Sequence, residues 1–139
     1  MTIVGEASAP ETKATEAPFL LDPNSVSEIV SNRTYMDGRS PEALRVTNVP
    51  EGVTRWLIPV DMSAFTLQVV TSVAPGARIA RHAHDGAMLR YLTKGSFRLN
   101  GVDYKTGDWV LVPHGLPYEM ETDEGYTVVS SYVNCQCGR

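Results

Sequence analysis

The stretch RHAHDGAMLR, residues 81–90, holds the side chains best suited to chemistry. His82 and His84 stand one residue apart, and on an extended strand alternate side chains face the same side. Two imidazoles so placed could take adjacent positions on one iron, zinc, manganese, nickel or copper ion. The same pair could instead hydrogen-bond a ligand without any metal. Cys135 and Cys137 form a second short pattern at the C-terminal end. Two thiols cannot close a four-ligand site by themselves, so this pair reads as an exposed tail.

Other chemistries lack their residues. The chain has no HExxH, no EF-hand loop, no GxSxG, no GxGxxG and no GxxxxGK[ST]. No pair of carboxylates is spaced so as to stand out as a glycosidase site. A cysteine–histidine nucleophile would need a tail cysteine carried to a histidine.

The elements that must position these side chains are short and β-rich. Strand-like runs occupy 54–60, 65–73, 88–100, 102–104, 109–113, 118–122 and 126–134. They are punctuated by Ala74-Pro75-Gly76, Asp85-Gly86, Lys94-Gly95, Asn100-Gly101, Thr106-Gly107, His114-Gly115 and Glu124-Gly125. Asn100-Gly101 is the strongest hairpin signal. Turn signals this regular predict a small antiparallel barrel or sandwich, and no run is followed by a crossover helix. Upstream, Asp22-Pro23-Asn24-Ser25 predicts the cap of a short helix carrying Val26, Ile29 and Val30. Asp37-Gly38 is a turn signal. Residues 1–19 are rich in Ala, Glu, Thr and Pro without a period, and read as a flexible arm.

At 139 residues the chain is about one domain's worth. That is enough to bury a core without disulfides. We divide it into the arm, one barrel domain over 20–134 and a tail over 135–139. Twelve Lys and Arg against 16 Asp and Glu give a net charge of −4, with no basic cluster. An extended nucleic-acid or acidic-lipid surface is therefore not expected. The sparse cysteines and the lack of a basic, then apolar, leader point to the cytoplasm, and no apolar run is long enough to span a membrane.

A more specific pattern lies on top of these. Gly76, five residues, His82-Ala83-His84, then Met88 and Gly95 form one block. Gly107, five residues, then Pro113-His114-Gly115-Leu116-Pro117-Tyr118 form a second, with Gly95 and Gly107 twelve positions apart. This spacing resembles the two motifs of the cupin superfamily, over about residues 65–133. The resemblance implies an all-β antiparallel double-stranded β-helix, or jelly-roll barrel, with an N-terminal arm and one short helix. Where the family pattern carries a glutamate ligand, this chain has Met88. Where it carries its third histidine, the chain has Tyr118, and an asparagine position holds Thr122.

The resemblance thus implies one divalent transition metal on His82 and His84, with Tyr118 or His114 as the alternatives for a further ligand. Met88 and Met120 become pocket lining. Arg90 shares Met88's strand parity and is expected inside, where it needs a partner. Glu119, Glu121, Asp108 and a substrate anion are the options. Arg90 and Tyr118 are then the residues expected to orient or neutralise a compact organic anion in a dioxygenase-like or cyclase/isomerase-like reaction. The alternative is a metal-free binding or sensor barrel. Trp56, Phe65, Tyr91, Phe97, Trp109 and Tyr126 are expected to serve core and dimer packing, and a homodimer is expected.

Overall fold

The computed structural model describes residues 20–133. The strands are β1 (Val30–Ser31), β2 (Phe65–Val73), β3 (Arg78–His82), β4 (Met88–Leu99), β5 (Val102–Lys105), β6 (Trp109–Val112), β7 (Tyr118–Glu121) and β8 (Tyr126–Val133). Every pairing between them is antiparallel. Among the described residues the one α-helical turn, α1, is Ser40–Ala43, and short 3₁₀ turns cover Tyr35–Gly38 and Met62–Ala64. No helix among the described residues is long and apolar enough to cross a membrane.

β4 joins the two sides of the barrel. Its first part, Met88 to Gly95, lies between β6 and β8. Its last part, Ser96 to Leu99, pairs with β5 and β7. The change of partners falls beside a register shift between Leu92 and Lys94. Gly95 sits there at φ 82°, and a Cβ on it would collide with the Gly125 carbonyl. Gly95 is therefore the bend inside a strand that switches sheets, not the turn residue that Lys94-Gly95 suggests. At Asn100-Gly101 both residues have positive φ, 50° and 82°, as a type I′ hairpin turn requires.

Alternation along the strands divides the apolar residues between two cores. The barrel interior is filled by Met88, Leu92, Phe97, Leu99, Val110, Val112, Tyr118, Met120, Tyr126 and Val128. The opposite face of β4 and β6 presents Leu89, Trp109 and Leu111, which pack with Val60. The segment from residue 20 to 65 covers this outer face with Leu21, Val26, Val30, Tyr35, Ile58 and Phe65.

Three expectations are corrected here. The helix predicted after Asp22 does not form. Asp22 instead accepts from the Asn24 amide (3.0 Å) and the Ser25 hydroxyl (2.9 Å), closing a tight turn. Val26 and Val30 then reach the outer core, and β1 pairs with β6. The run 54–60 forms isolated bridges, Arg45–Trp56 and Leu21–Val60, rather than a strand. Its backbone groups bond singly to two separate segments, around Leu44–Val46 and at Leu21. Finally, β3 is a strand where none was expected, because Arg78, Ala80 and Arg81 hide its single apolar rung, Ile79. The N-terminal arm, residues 1–19, and the tail with Cys135 and Cys137 lie outside the described residues.

Candidate functional site

β3 ends at His82, and His84 follows in the bend that leads to β4. The strand alternation that would align the two rings thus stops at the first of them, yet they still meet, with centroids 5.0 Å apart. The bend is held from two sides. The Gly115 amide donates to the His84 carbonyl (2.8 Å), and Gly86 lies so close to the Val133 carbonyl that a Cβ would not fit.

Tyr118 pairs with His82 across β3 and β7. Its ring is fully buried and lies 4.6 Å from the His82 ring and 5.9 Å from the His84 ring. Tyr132 forms a further wall, 6.0 Å from His84.

Proton positions follow from the partners. His82 Nδ1 faces the Ala80 carbonyl at 2.7 Å. A carbonyl only accepts, so Nδ1 carries a hydrogen, and in the neutral ring Nε2 is the nitrogen with the lone pair. This is the outer bond that typically fixes a metal-binding imidazole. His84 has its pKa lowered, first by burial and then by the nearby His82 and Arg90 charges. It therefore favours the neutral form, the one able to bind a metal or accept a hydrogen bond. Arg90 Nη2 donates to the Tyr118 hydroxyl at 2.9 Å, and that hydroxyl lies 3.0 Å from His84 Nε2. The natural chain of donors runs Arg90 to Tyr118 to His84, with the Met88 sulfur, 3.9 Å from the same hydroxyl, a weaker acceptor. Burial raises the Tyr118 pKa, against the pull of Arg90, so the phenol holds its proton.

Arg90 is 7 % exposed. None of the carboxylates proposed for it is in reach. Glu119 pairs with Arg81, Glu121 with Arg78 and Arg98, and Asp108 with Arg33. Among the described residues its only hydrogen bond goes to Tyr118, and its Nε is buried with no partner. Its carbon Cζ lies 5.7 Å from the Tyr118 ring centroid, a further weak stabilisation of the cation.

The other expected site residues divide. Met88 is buried beside Tyr118, and Met120 is also buried, its sulfur 3.9 Å from the Tyr126 hydroxyl. Thr122 turns to the Ser96 carbonyl and the Gly125 amide. His114 is exposed in the neighbouring turn and takes no part in the ring cluster. Among the described residues no group of three or more His, Cys, Asp or Glu is placed to hold a metal. What the fold assembles is a half-site of two imidazoles, with a phenol and an unmatched guanidinium behind it.

A family described as the ChrR cupin-like domain matches residues 37–135. This chain belongs to that family. The match takes in both motif blocks, and with the antiparallel barrel it makes the protein a cupin. Solved structures with a similar fold include an RmlC-like cupin from Shewanella frigidimarina NCIMB 400, 19% identical over 51% of this chain and 69% of that one, at a TM-score of 0.45. A protein with a cupin-like fold from Ralstonia eutropha JMP134 is 20% identical, covering 52% of this chain at a TM-score of 0.47, and this chain spans 49% of its length. KdgF from a Halomonas species is 19% identical over 66% of this chain and 87% of that one, at a TM-score of 0.47. A comparison with curated proteins finds no match.

Two site features carried no strong signal in the sequence. Ser130 is fully buried and faces Arg90 across β4 and β8. The one hint was its parity with Val128 and Tyr126 on a strand whose other face is also partly buried. The Ala80 carbonyl that orients His82 is backbone, and only the folded chain reveals it.

Proposed function

We propose that this cupin binds a compact organic anion in the barrel, on one divalent transition metal held by His82 and His84. The observation that carries the reading is the buried guanidinium of Arg90 without a carboxylate. A buried, permanently charged group with neutral neighbours is costly, and an anion arriving at the site removes the imbalance. Two features support the metal. His82 keeps Nε2 free because Nδ1 is committed to Ala80, and His84 is held neutral. When bound, the metal supplies Lewis-acid polarisation of the anion's oxygens or, if it is iron, oxygen handling.

The chain's own residues do the rest. Arg90 neutralises and orients the anion. Tyr118 ties Arg90 to His84 and stays protonated, so it acts as a hydrogen-bond donor rather than an anionic ligand. Met88 in place of a carboxylate leaves the site more positive by one unit, which favours a chelating anion such as an enolate or diketonate. The reaction classes that fit are dioxygenase-like cleavage and cyclase- or isomerase-like enolate chemistry. A homodimer belongs to the same proposal: β2 pairs on one side only among the described residues and exposes Leu67 and Val70.

A second reading, a metal-free binding or sensor barrel, is favoured by one contact. His84 Nε2, the atom that would face a metal, is taken up by the Tyr118 hydroxyl. Elemental analysis of protein purified without chelator separates the two. The metal reading expects about one equivalent of a transition metal in the wild type and none in the His82→Ala/His84→Ala double variant. Equal content in both, or none after incubation with iron, zinc, manganese, nickel and copper, leaves the metal-free reading standing.

A further inference from the structure

The barrel contains two buried polar groups that no described residue satisfies, Arg90 Nε and Ser130 Oγ. They belong to residues directly opposite each other in the β4–β8 ladder. Directly paired residues in an antiparallel ladder project to the same face, here the interior that also holds Val110, Val128 and Tyr118. Native interiors pair nearly all their buried polar groups, and leaving one unpaired costs on the order of 1–3 kcal/mol. Two facing orphans, one on a charged fork and one on a hydroxyl, are the signature of a recognition site more than of a packing defect.

The geometry of the fork narrows the ligand. Nε and Nη2 are the two donors on one edge of a guanidinium, the edge that meets planar oxyanions side-on. Nη2 already sits on the Tyr118 hydroxyl at 2.9 Å. The free Nε–H lies on that same edge, and Ser130 stands directly opposite Arg90 in the ladder. A hydroxyl is both donor and acceptor, but beside a cation with spare donors its useful role is to donate. Nε–H and the Ser130 hydroxyl together offer two donors to an acceptor-only group, while the single Tyr118 proton stays with His84.

We propose that Arg90 and Ser130 form a carboxylate subsite at the inner wall of the barrel. One carboxylate oxygen takes Arg90 Nε–H and the Ser130 hydroxyl, and the other lies beside Nη2, which has a second N–H besides the one given to Tyr118. The remainder of the molecule extends toward His82 and His84. This rests on the anion reading above and adds the head group and a second binding residue. The substrate class is then a compact organic acid whose second oxygen function reaches the imidazoles, such as a keto or hydroxy acid.

Isothermal titration with acetate, pyruvate and benzoate, each beside its amide, tests the subsite on the full-length protein. At least one acid is expected to bind, with its amide weaker by about ten- to a hundredfold. Ser130→Ala and Arg90→Lys are each expected to weaken that acid roughly tenfold or more, with metal content unchanged. In the absence of ligand, Ser130→Ala is expected to leave the melting temperature unchanged or raise it, because it removes an unsatisfied hydroxyl. A clear fall in melting temperature would instead mean that Ser130 is satisfied inside the protein, by an ordered water or by another part of the chain, and the subsite would be withdrawn. No binding by any acid, or equal binding of acid and amide, also overturns it. Acid binding without metal would leave the subsite standing and remove only the metal from the proposed function.

Discussion

Arg90 sets the terms of the site at the scale of single residues. Its strand parity places it inside, and the resemblance to cupins places Tyr118 inside as well, so both positions were legible before any coordinates. Its partner was not. Glu119 and Glu121 alternate with Tyr118 and Met120 on β7, so they face outward and pair with Arg81, Arg78 and Arg98. Tyr118 is then the link on which Arg90 and His84 both depend. Tyr118→Phe should strand the Nη2 donor of a buried cation and cost about 1–3 kcal/mol of stability. A urea midpoint at unchanged slope measures this. Metal content equal to the wild type would mark Tyr118 as a hydrogen-bonding residue. Unchanged stability would mean that Arg90 has another partner and that the donor chain is wrongly drawn.

At the scale of elements, strands separated by glycine turns were the easiest to read. β2 and the hairpin at Asn100-Gly101 fall where the sequence places them. β3 escaped because its exposure alternates around one apolar residue, Ile79, and its outer face is held by charge. Arg78 meets Glu121 at 2.7 Å, and Arg98 meets Glu121 and Asp123 at 3.2 Å each. A hydrophobic pattern cannot register a rung made of ion pairs. The hydrogen bonds from Arg98 lower the pKa values of Glu121 and Asp123 below their ordinary 4.5 and 3.8. Carboxylates with depressed values stabilise the fold above their unfolded pKa, and that contribution disappears as the pH falls through the folded one. Arg98→Met should therefore be less stable than wild type at pH 7 and closer to it at a pH below the depressed values of the two carboxylates. These groups are half-buried or exposed, so the effect is small and sensitive to salt. Denaturant midpoints at the two pH values check it. A gap that persists in acid would assign the role of Arg98 to packing of its aliphatic stem.

For the whole molecule, the barrel joins a half-site of two imidazoles to a cation it does not neutralise. The family match and the all-antiparallel architecture agree with the spacing of the two motif blocks. Folding adds the inner wall: β8 brings Ser130 and Tyr132 against residues of β4 and the bend at His84, contacts separated by some forty positions in the chain. No local pattern encodes that meeting, which follows from strand order. The central claim is that metal and anion occupy one site, and cobalt(II) reports on both at once. Visible spectra of the protein titrated with cobalt(II), then with acetylacetone, give the most direct measurement. The account predicts absorption bands that saturate at about one equivalent and require His82 and His84. It also predicts that acetylacetone shifts these bands, and that Arg90→Met needs much more of it for the same shift. Bands that survive in the double histidine variant, or that ignore acetylacetone, would contradict it.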